Sequence, residues 1–466
     1  MKNKYLFKTL TTVFALSLGV SVAHAKVAPE EAQKLGNELN CVGGEMSGNA
    51  DGSIPPFTGE YVGKLPGSSD YTPHIGMKPV DPFASDTPQF MITGANWRDY
   101  ADNLSEGQQL LFKRYPDKYK IPVYEGKRIF RYADKVCDVV KRNALEAQLD
   151  DKGLAYSGYK GGVPFPIPSG AEQGLQAFFN NAFAHLAYTE VKEKSDIIEV
   201  SSNGKATWGQ TSNSSLNVVT SPEEMGKPME GYMAYANSLT NLPVRDQGGR
   251  ILTYEPVDYG MQRLVWSYNP GTRRVRQYPE YGFDSTSSGT NGKLTVDQDR
   301  LFNGSPIRYN WTLKGKREMY VPANTHRMHA KNVTYDALLQ PQEAIPNSDF
   351  MRYELRRVWV LEANLKDDYR HKYGKRVMYL DEDSWHAVMS DYSDTRGQLT
   401  QHAILNYYYS PDTSAFQAGT SFYYDLVTGG YVAYNLFQGQ EKGPILNAGG
   451  LTPEMYTPAT LRASGF

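Results

Sequence analysis

The sequence predicts a mainly antiparallel α+β protein in which a β-meander follows a helical segment. From about residue 186 onward, apolar and polar residues alternate with a period of two, which is typical of half-buried strands. Short turns join many of these segments, and turns of that length connect antiparallel neighbours. Apart from one short helix in the N-terminal arm, helical periodicity lies in residues 100–185. The helices therefore precede the strands instead of alternating with them, which argues against a parallel βαβ array.

Residues 1–25 are predicted to be a signal peptide. A lysine-containing start is followed by an apolar run over 13–22 and by the small-residue cleavage motif Ala23-His24-Ala25. The apolar run is too short to span a bilayer, and no later stretch approaches that length. We therefore expect an exported chain that is cleaved after Ala25 and does not span a membrane.

The charge balance excludes a strongly basic chain. The 466 residues include 49 Lys plus Arg and 51 Asp plus Glu, a net charge of −2. Nucleic-acid binding requires a basic surplus, so no nucleic-acid partner is expected. Tyrosine is frequent, with 34 Tyr against 18 Phe and 6 Trp. Such a composition suits strands whose rings are half buried with solvated hydroxyls.

The two cysteines, Cys41 and Cys137, are predicted to form a disulfide in an oxidising compartment. The alternative is two separate buried thiols. A bridge requires Cα atoms within about 7 Å. Two cysteines are too few for a Cys-only zinc site, and the pair His326 and His329 lacks a third ligand nearby in sequence, so no metal is expected.

The predicted organisation is an N-terminal arm with covering helices over 26–185 and a sheet over 186–466, together forming one integrated unit. The arm is rich in Gly and Pro and carries one short helix over 30–39. Three further helices are predicted over 106–115, 132–148 and 170–184. Ser105 is expected to cap the first of these three, and Ser169 with Glu172 to form a capping box at the last.

The predicted strands follow the helices and run to the C-terminal region. They cover residues 186–202, 205–219, 249–256, 261–268, 272–279, 317–323, 352–364, 374–381, 384–392, 398–409, 420–426 and 430–437.

The strand over 351–363 places a charge on its apolar face. Tyr353, Leu355, Trp359 and Leu361 share that face with Arg357. Burying an unpaired guanidinium costs several kcal/mol. Arg357 must therefore meet a carboxylate in an internal ion pair, which we favour, or the polar head of a ligand.

A second cationic group lies on the predicted strand over 272–279. Arg273 and Arg276, with Arg274 between them, could bind an anionic headgroup through bidentate hydrogen bonds. Cross-strand pairing with acidic residues is the alternative.

Hydrolase and nucleotide signatures are missing from the sequence. It contains no G-x-S-x-G, no H-E-x-x-H, no Walker A motif and no dinucleotide fingerprint, so no cofactor is expected. The carboxylates Asp381, Glu382 and Asp383, near Tyr379 and Trp385, could belong to a glycosidase. The favoured interpretation is an exposed, charged turn between two strands.

Several motifs together resemble a family of exported bacterial proteins that carries a domain-of-unknown-function label. They are Gly48-Asn-Ala-Asp-Gly-Ser-Ile-Pro55, Gly162-Val-Pro-Phe-Pro-Ile-Pro-Ser-Gly170, Asn269-Pro-Gly-Thr-Arg-Arg-Val-Arg276, Phe302-Asn-Gly304, Arg308-Tyr-Asn-Trp311, Lys316-Arg-Glu-Met-Tyr-Val-Pro322, Tyr353-Glu-Leu-Arg-Arg-Val-Trp-Val360, Tyr379-Leu-Asp-Glu-Asp-Ser-Trp385 and Tyr456-Thr-Pro-Ala-Thr-Leu-Arg462. The family looks distantly similar to LolA and LolB, the periplasmic carriers of outer-membrane lipoproteins.

The resemblance implies a strongly curved half-barrel sheet, covered by helices, with an apolar concave face. It also implies a periplasmic carrier of lipid or another hydrophobic molecule, working with an exporter of the resistance–nodulation–division (RND) type and an outer-membrane protein. We expect an elongated apolar cavity under helix 170–184. The predicted ligand-binding residues are Phe178, Phe179, Phe183, Arg273, Arg276, Arg357 and Trp359.

Two other functions remain open at this point. A non-catalytic envelope scaffold could bind protein or glycan through its Tyr-rich surface, and a solid interior would favour it. An uncharacterised hydrolase is the third possibility, and two carboxylates facing each other about 5–9 Å apart across an open cleft would favour it.

Overall fold

A computed structural model describes residues 27–60, 75–278 and 283–463. The predicted signal peptide lies outside the described residues. The helices are α1 (Pro29–Ala32), α2 (Glu106–Arg114), α3 (Asp134–Glu146), α4 (Gln173–Ala182), α5 (His326–His329), α6 (Tyr335–Leu339) and α7 (Pro458–Ala463). None of the described helices is long and apolar enough to cross a membrane.

Eighteen strands are found in the described ranges. They are β1 (Phe90–Ile92), β2 (Ile121–Val123), β3 (Gln148–Leu149), β4 (Tyr156–Ser157), β5 (Thr189–Ser201), β6 (Ala206–Asn217), β7 (Tyr232–Leu242), β8 (Arg250–Pro256), β9 (Leu264–Asn269), β10 (Arg274–Tyr278), β11 (Tyr309–Pro322), β12 (Tyr353–Leu365), β13 (Tyr373–Asp381), β14 (Ala387–Asp394), β15 (Leu399–Ser410), β16 (Ala415–Asp425), β17 (Gly430–Leu436) and β18 (Ile445–Leu446).

Sixteen of these strands form one curved sheet. Its order is β1-β2-β12-β13-β14-β15-β16-β17-β5-β6-β7-β8-β9-β10, with β11 paired to β12 and β18 to β5. Nearly all pairs are antiparallel, and the single parallel contact joins β2 to β12. The late meander β12–β17 joins the early meander β5–β10 through antiparallel pairing of β17 with β5. In the part of the chain that is described, β10 pairs only with β9, so the sheet does not close.

The predicted fold class is therefore confirmed, and most strands lie close to the predicted bounds. The long strand β7 and the short strands β1, β2, β3, β4 and β18 were missed, and β11 begins eight residues before its predicted start. β7 has the sequence YMAYANSLTNL, in which small and polar residues replace the apolar half of the usual alternation. The reason lies in the cavity described below, which β7 crosses.

The predicted helices differ from the structure mainly at their ends. Ser105 caps α2 in a reciprocal capping box with Gln108, as the sequence indicates. Ser169 and Glu172 do not form the predicted box, because Ser169 instead donates its backbone N–H to the side chain of Gln176. The arm helix is only one turn, Pro29–Ala32. The division of the chain near residue 186 stays a prediction.

The helix α4 packs directly on β11 and β12. A side chain at Gly174 would place its Cβ only 2.5 Å from the carbonyl oxygen of Trp311, so glycine permits this close approach. On the other face of the sheet, α7 packs against β8, β9 and β10 with Tyr456 and Leu461 buried.

The N-terminal arm is joined covalently to α3. Cys41 and Cys137 form a disulfide with their Cα atoms 5.0 Å apart, inside the predicted limit. The arm also contacts the turn between β13 and β14, where Trp385 donates its ring N–H to the carbonyl oxygen of Val42 at 2.7 Å. One covalent bond and several polar contacts thus hold residues 40–47 against the sheet.

We predict that thiol labelling of unreduced, denatured protein will detect no free cysteine. Replacing Cys41 and Cys137 together by Ala should lower the free energy of unfolding by up to about 4 kcal/mol, because the disulfide closes a loop of about 100 residues in the unfolded chain. Urea unfolding with and without reductant measures this loss. Full labelling without reductant, or a variant as stable as the parent, would contradict the bridge.

Candidate functional site

A cavity of about 340 Å³ lies on the concave side of the open half of the sheet. Strands β5–β8 form its floor, residues 287–303 cover it, and β15–β17 contribute one wall. Its volume is within the range of small-molecule sites in proteins.

Rows of small and polar side chains cross the floor of this cavity. Cross-strand pairing produces the rows Asn213–Ser238–Ile251, Ser215–Ala236–Thr253 and Asn217–Ala234–Glu255. Small side chains leave space above the sheet, and their hydroxyl and amide groups offer hydrogen bonds. The sequence analysis predicted an apolar cavity, and that prediction is wrong for these strands.

The opposite face of the same strands is aromatic and packed. Tyr235, Tyr254 and Trp266 contact one another with ring centroids 4.7 and 4.8 Å apart. Tyr456 of the C-terminal segment lies 5.9 Å from the Tyr235 ring. The bulky residues thus hold the strands on the convex side, so the concave side can remain open.

Phe178, Phe179 and Phe183 do not line a cavity, which corrects the prediction for α4. All three are buried, with at most 1% of their surface exposed. Phe178 lies 4.7 Å from Trp311 between ring centroids, and Phe183 lies 5.5 Å from Tyr156. Because α4 approaches β11 and β12 closely, its rings fill the space that a ligand would need. This region is solid core.

Three ion pairs line the cavity. Arg263 pairs with Glu255, Lys192 with Glu190 at 3.0 Å, and Arg300 with its neighbour Asp299 at 3.7 Å. Tyr259 lies nearby and connects this charged group to the α4 rings.

The pKa of Tyr259 reports the charges around it. Burial and the charge of Glu255 raise this pKa, while Arg300 and Arg263 act in the opposite direction.

A buried ion pair anchors the cover of the cavity to β13. Arg376 donates to Asp297 at 2.5 Å and is surrounded by four aromatic rings. Those rings belong to Phe302, Tyr309, Tyr373 and Tyr392, with centroids 4.7–5.5 Å from the guanidinium carbon. Burial alone would raise the pKa of Asp297, but the charge of Arg376 and a hydrogen bond from His371 outweigh it and lower this pKa.

Arg273 and Arg276 lie near the free edge of the sheet and do not line the cavity. Arg273 is in the turn before β10, with φ of 53°. Arg276 pairs in register with Ser267, which pairs with Ile251 of the cavity floor. Arg276 therefore shares the cavity's face of the sheet, two strands from its lining, and is exposed.

Arg357 meets a carboxylate, as the favoured alternative predicted. It donates to Glu382 at 2.7 Å and to the backbone carbonyl of Ser47 in the arm, and Glu45 lies 3.8 Å away. Lys316 also contacts Glu382, at 2.9 Å. Arg357 is thus part of a protein ion-pair network remote from the cavity lining, and we remove it from the candidate ligand site.

Asp383 occupies the centre of this network and is 1% exposed. Its two oxygens accept hydrogen bonds from Arg128, Arg356 and Asn40 at 2.7–2.9 Å. Burial alone would raise the pKa of Asp383, but the charges of Arg128 and Arg356 lower it.

Trp359 belongs to the same region and is also removed from the ligand site. Its ring stacks on Trp385 with centroids 5.6 Å apart, and Lys316 lies 4.8 Å from its centroid. Both neighbours are parts of the interface between the arm and the sheet.

The prediction of an exposed turn at residues 381–383 is wrong. Asp381, Glu382 and Asp383 are all buried. Each contacts one or more arginines, which leaves no open cleft between carboxylates of the kind that glycosidases use.

His326 and His329 are both buried, and their ring nitrogens form hydrogen bonds with the backbone. His326 Nε2 lies 2.8 Å from the carbonyl oxygen of Tyr409, and His329 Nε2 accepts from the N–H of Thr420. Burial lowers the pKa of His329 to about 3. Within the described ranges, no group of three or more metal-binding side chains comes together.

The cavity was missed because the sequence analysis looked for apolar faces. The segments 211–217 and 234–240 place Ser, Thr, Asn or Ala at every second position. That period-two pattern of small polar residues is the signal that could have indicated an open concave face.

The structure thus defines an open antiparallel half-barrel with a mixed polar cavity. The family described as "Protein of unknown function (DUF1329)" matches residues 91–462. An uncharacterised protein of Pseudomonas aeruginosa is 34% identical over 459 residues, covering 98% of each chain. The chain belongs to the DUF1329 family, which confirms the predicted membership.

Solved structures similar to this chain include three bacterial proteins. A putative outer-membrane lipoprotein-sorting protein domain from Vibrio parahaemolyticus is 15% identical, with a TM-score of 0.43, over 63% of this chain and all 100% of its own. A DUF1329 protein from Desulfovibrio piger is 12% identical, with a TM-score of 0.40, over 59% of this chain and 92% of its own. A LolA-superfamily protein from Nitrosomonas europaea is 11% identical, with a TM-score of 0.36, over 61% of this chain and 97% of its own.

We predict that Arg357→Met destabilises the protein by about 2 kcal/mol, because Glu382 loses its shortest ionic contact and keeps Lys316 at 2.9 Å and Arg128 at 3.7 Å. The free energy of unfolding in urea measures the effect. The double variant Arg357→Met/Glu382→Gln should recover part of the loss, and Arg396→Met, in an exposed turn, should change little. A loss under about 0.5 kcal/mol for Arg357→Met would contradict a structural ion pair.

We also predict a pH-dependent contribution from Asp297. Its lowered pKa means that folding favours the carboxylate, so the stabilisation is present above the ordinary pKa of about 3.9 and is lost as pH falls. The free energy of unfolding of Asp297→Asn should therefore be several kcal/mol lower than that of the parent near neutral pH. This difference should become smaller below about pH 4. Urea unfolding of both proteins from neutral pH to below about pH 4 measures the difference in stability. A difference that does not change with pH would contradict the prediction.

Proposed function

We propose that this protein is a non-enzymatic carrier of an amphipathic lipid-class molecule, which it holds in the cavity on the concave face of its half-barrel. The observation that carries the proposal is the cavity itself, with apolar and hydrogen-bonding groups on the same walls. Leu186, Ile251, Leu294, Val296 and Leu405 are among the apolar residues in the lining. The serine, threonine and asparagine rows supply the polar part.

An alkyl chain buried against these apolar residues gains about 0.8 kcal/mol per methylene group. The polar rows can replace the water that hydrates a headgroup. A ligand with both parts fits this lining better than a wholly apolar one, which would leave the hydroxyl and amide groups without water or a partner.

The proposed location is the periplasm. A disulfide between Cys41 and Cys137 favours an oxidising compartment, because cytosolic thiols are kept reduced. The predicted signal peptide, cleaved after Ala25, agrees with that location. Partnership with an RND-type exporter and an outer-membrane protein is part of the proposal and rests on the resemblance alone.

The charged groups of the cavity support a carrier instead of a hydrolase. Each of the lining carboxylates Glu190, Glu255 and Asp299 lies within 4 Å of a cationic nitrogen. Each of these carboxylates thus has an ionic partner in the wall of the cavity, as expected of charges with a structural role.

Arg273 and Arg276 keep a proposed role at the edge of the sheet. Arg276 is exposed on the cavity's face, where an anionic headgroup could contact it as the ligand enters or leaves. Release of a buried ligand requires a receiving partner or a movement that opens the cavity.

A glycan-binding scaffold is the second candidate function. The hydroxyl and amide rows of β6, β7 and β8 favour it, because sugars are bound through many such hydrogen bonds. Native mass spectrometry of protein purified from the periplasm, followed by lipid extraction, separates the two functions. A co-purifying lipid supports the carrier, whereas a bound sugar with no lipid supports the scaffold.

We predict that Ala236→Trp abolishes co-purification of the lipid while the protein stays folded. Ala236 lies in the middle of the cavity floor between Ser215 and Thr253, so an indole there fills the space above the row. Val244→Trp, at a residue that is 74% exposed, is the control for added bulk. A ligand retained by folded Ala236→Trp would contradict the proposed site.

A further inference from the structure

Arg263, in the wall of the cavity, has hydrogen-bonding capacity that the described residues do not use. One terminal nitrogen pairs with Glu255. The other terminal nitrogen and Nε are buried and have no hydrogen-bond partner in the described part of the chain. Buried donors without an acceptor are costly, and in native proteins they call for an explanation such as a ligand.

Arg300 presents a second guanidinium to the same cavity. Its side chain is 33% exposed, and it lines the cavity that Arg263 also lines. Its ionic contact is with the adjacent Asp299, at 3.7 Å, which is too long for a hydrogen bond. Among the described residues we find no hydrogen bond from this guanidinium. Asp299 is itself 46% exposed, so solvent screens the pair.

The remaining charges of the cavity leave these donors available. Lys192 and Glu190 pair with each other on β5. Glu255 contacts one terminal nitrogen of Arg263, and no other carboxylate is found within ion-pair distance of Arg263 in the described ranges. The lining is therefore balanced in total charge, while Arg263 and Arg300 still carry N–H donors without an acceptor among the described residues.

We propose that Arg263 and Arg300 form an oxyanion subsite that binds the carboxylate or phosphate of an acidic amphiphile. A guanidinium presents a planar set of N–H donors that matches the oxygens of either group. The inference rests on the proposed carrier function and makes it more specific, because it assigns a negative charge to the ligand. The polar rows of β6–β8 would then contact the uncharged part of the headgroup.

Isothermal titration calorimetry with three matched probes tests the subsite. Lauroyl lysophosphatidic acid and monolauroylglycerol share an acyl chain and a glycerol and differ by the phosphate, and glycerol phosphate is the headgroup alone. We expect the phosphate lipid to bind about tenfold more tightly than the neutral lipid, or better, since hydrogen bonds to a charged group contribute about that factor each.

Variants assign the difference to the two arginines. Arg300→Gln, and the double variant Arg263→Gln/Glu255→Gln, which leaves no buried carboxylate unpaired, should each weaken binding of the phosphate lipid far more than binding of the neutral lipid, and so remove most of the phosphate preference. Asp299→Asn removes a competing charge and should strengthen binding of the phosphate lipid. Arg396→Gln, in the exposed turn, is the control and should change neither affinity.

The possible outcomes separate this inference from the carrier function. Equal binding of both lipids, or a phosphate preference that survives both arginine variants, overturns the oxyanion subsite and leaves the carrier intact. Failure of both lipids to bind overturns both proposals. Glycerol phosphate binding as tightly as its lipid, with loss in the arginine variants, supports the subsite but assigns it to a free anion and overturns the lipid carrier.

Discussion

The buried ion-pair network around Asp383 is the interaction on which the rest of the structure depends. It brings together the N-terminal arm, the segment that contains Arg128, strand β12 and the turn after β13, which are far apart in sequence. Removing these charges from water costs several kcal/mol for each ion, and such pairs contribute little net stability compared with apolar packing. Their role here is to fix the relative positions of these four segments, because the hydrogen bonds to the Asp383 oxygens form only when all four are correctly placed.

The network divides the half-barrel into a fixed part and an open part. Around β11–β14, the arm, the disulfide and α4 cover the sheet, and aromatic rings fill the interior. Around β5–β9, the described residues that cover the concave face belong to the segment 287–303, which the Arg376–Asp297 pair anchors. Such a division suits a binding protein, because a rigid part can hold the sheet's curvature while the other part accepts a ligand.

The sequence analysis succeeded where side chains follow a regular face and failed where they do not. Most strands were predicted from alternation, and the conflict between Arg357 and its apolar neighbours correctly indicated a buried ion pair. β7 was missed because its concave residues are the small Ala, Ser and Thr, so Tyr235 and its other large residues alternate with small side chains and not with the charged ones that usually mark an exposed face. The turn at 381–383 was judged exposed because three acids in a row usually are. Its partners, Arg128, Arg356 and Arg357, lie far away in sequence and cannot be inferred from local pattern.

The phenylalanines of α4 illustrate a related limit. An amphipathic helix over a curved sheet predicts apolar contact, but its periodicity does not say whether the helix touches the sheet or stands away from it. Gly174 allows the direct contact seen in the structure, because it lets the backbone of α4 approach the carbonyl oxygen of Trp311 in β11.

Among the described strands, β10 has a neighbour on one side only, so its other edge can meet a second copy of this chain. An exposed strand can pair with the same strand of a second molecule and begin an extended assembly. Here Arg274 and Arg276 are exposed on alternate positions of that strand. Bringing two such edges together antiparallel would set guanidinium groups of both chains side by side, and like charges facing each other across strands repel. The exposed arginines therefore disfavour pairing between the β10 edges of two copies.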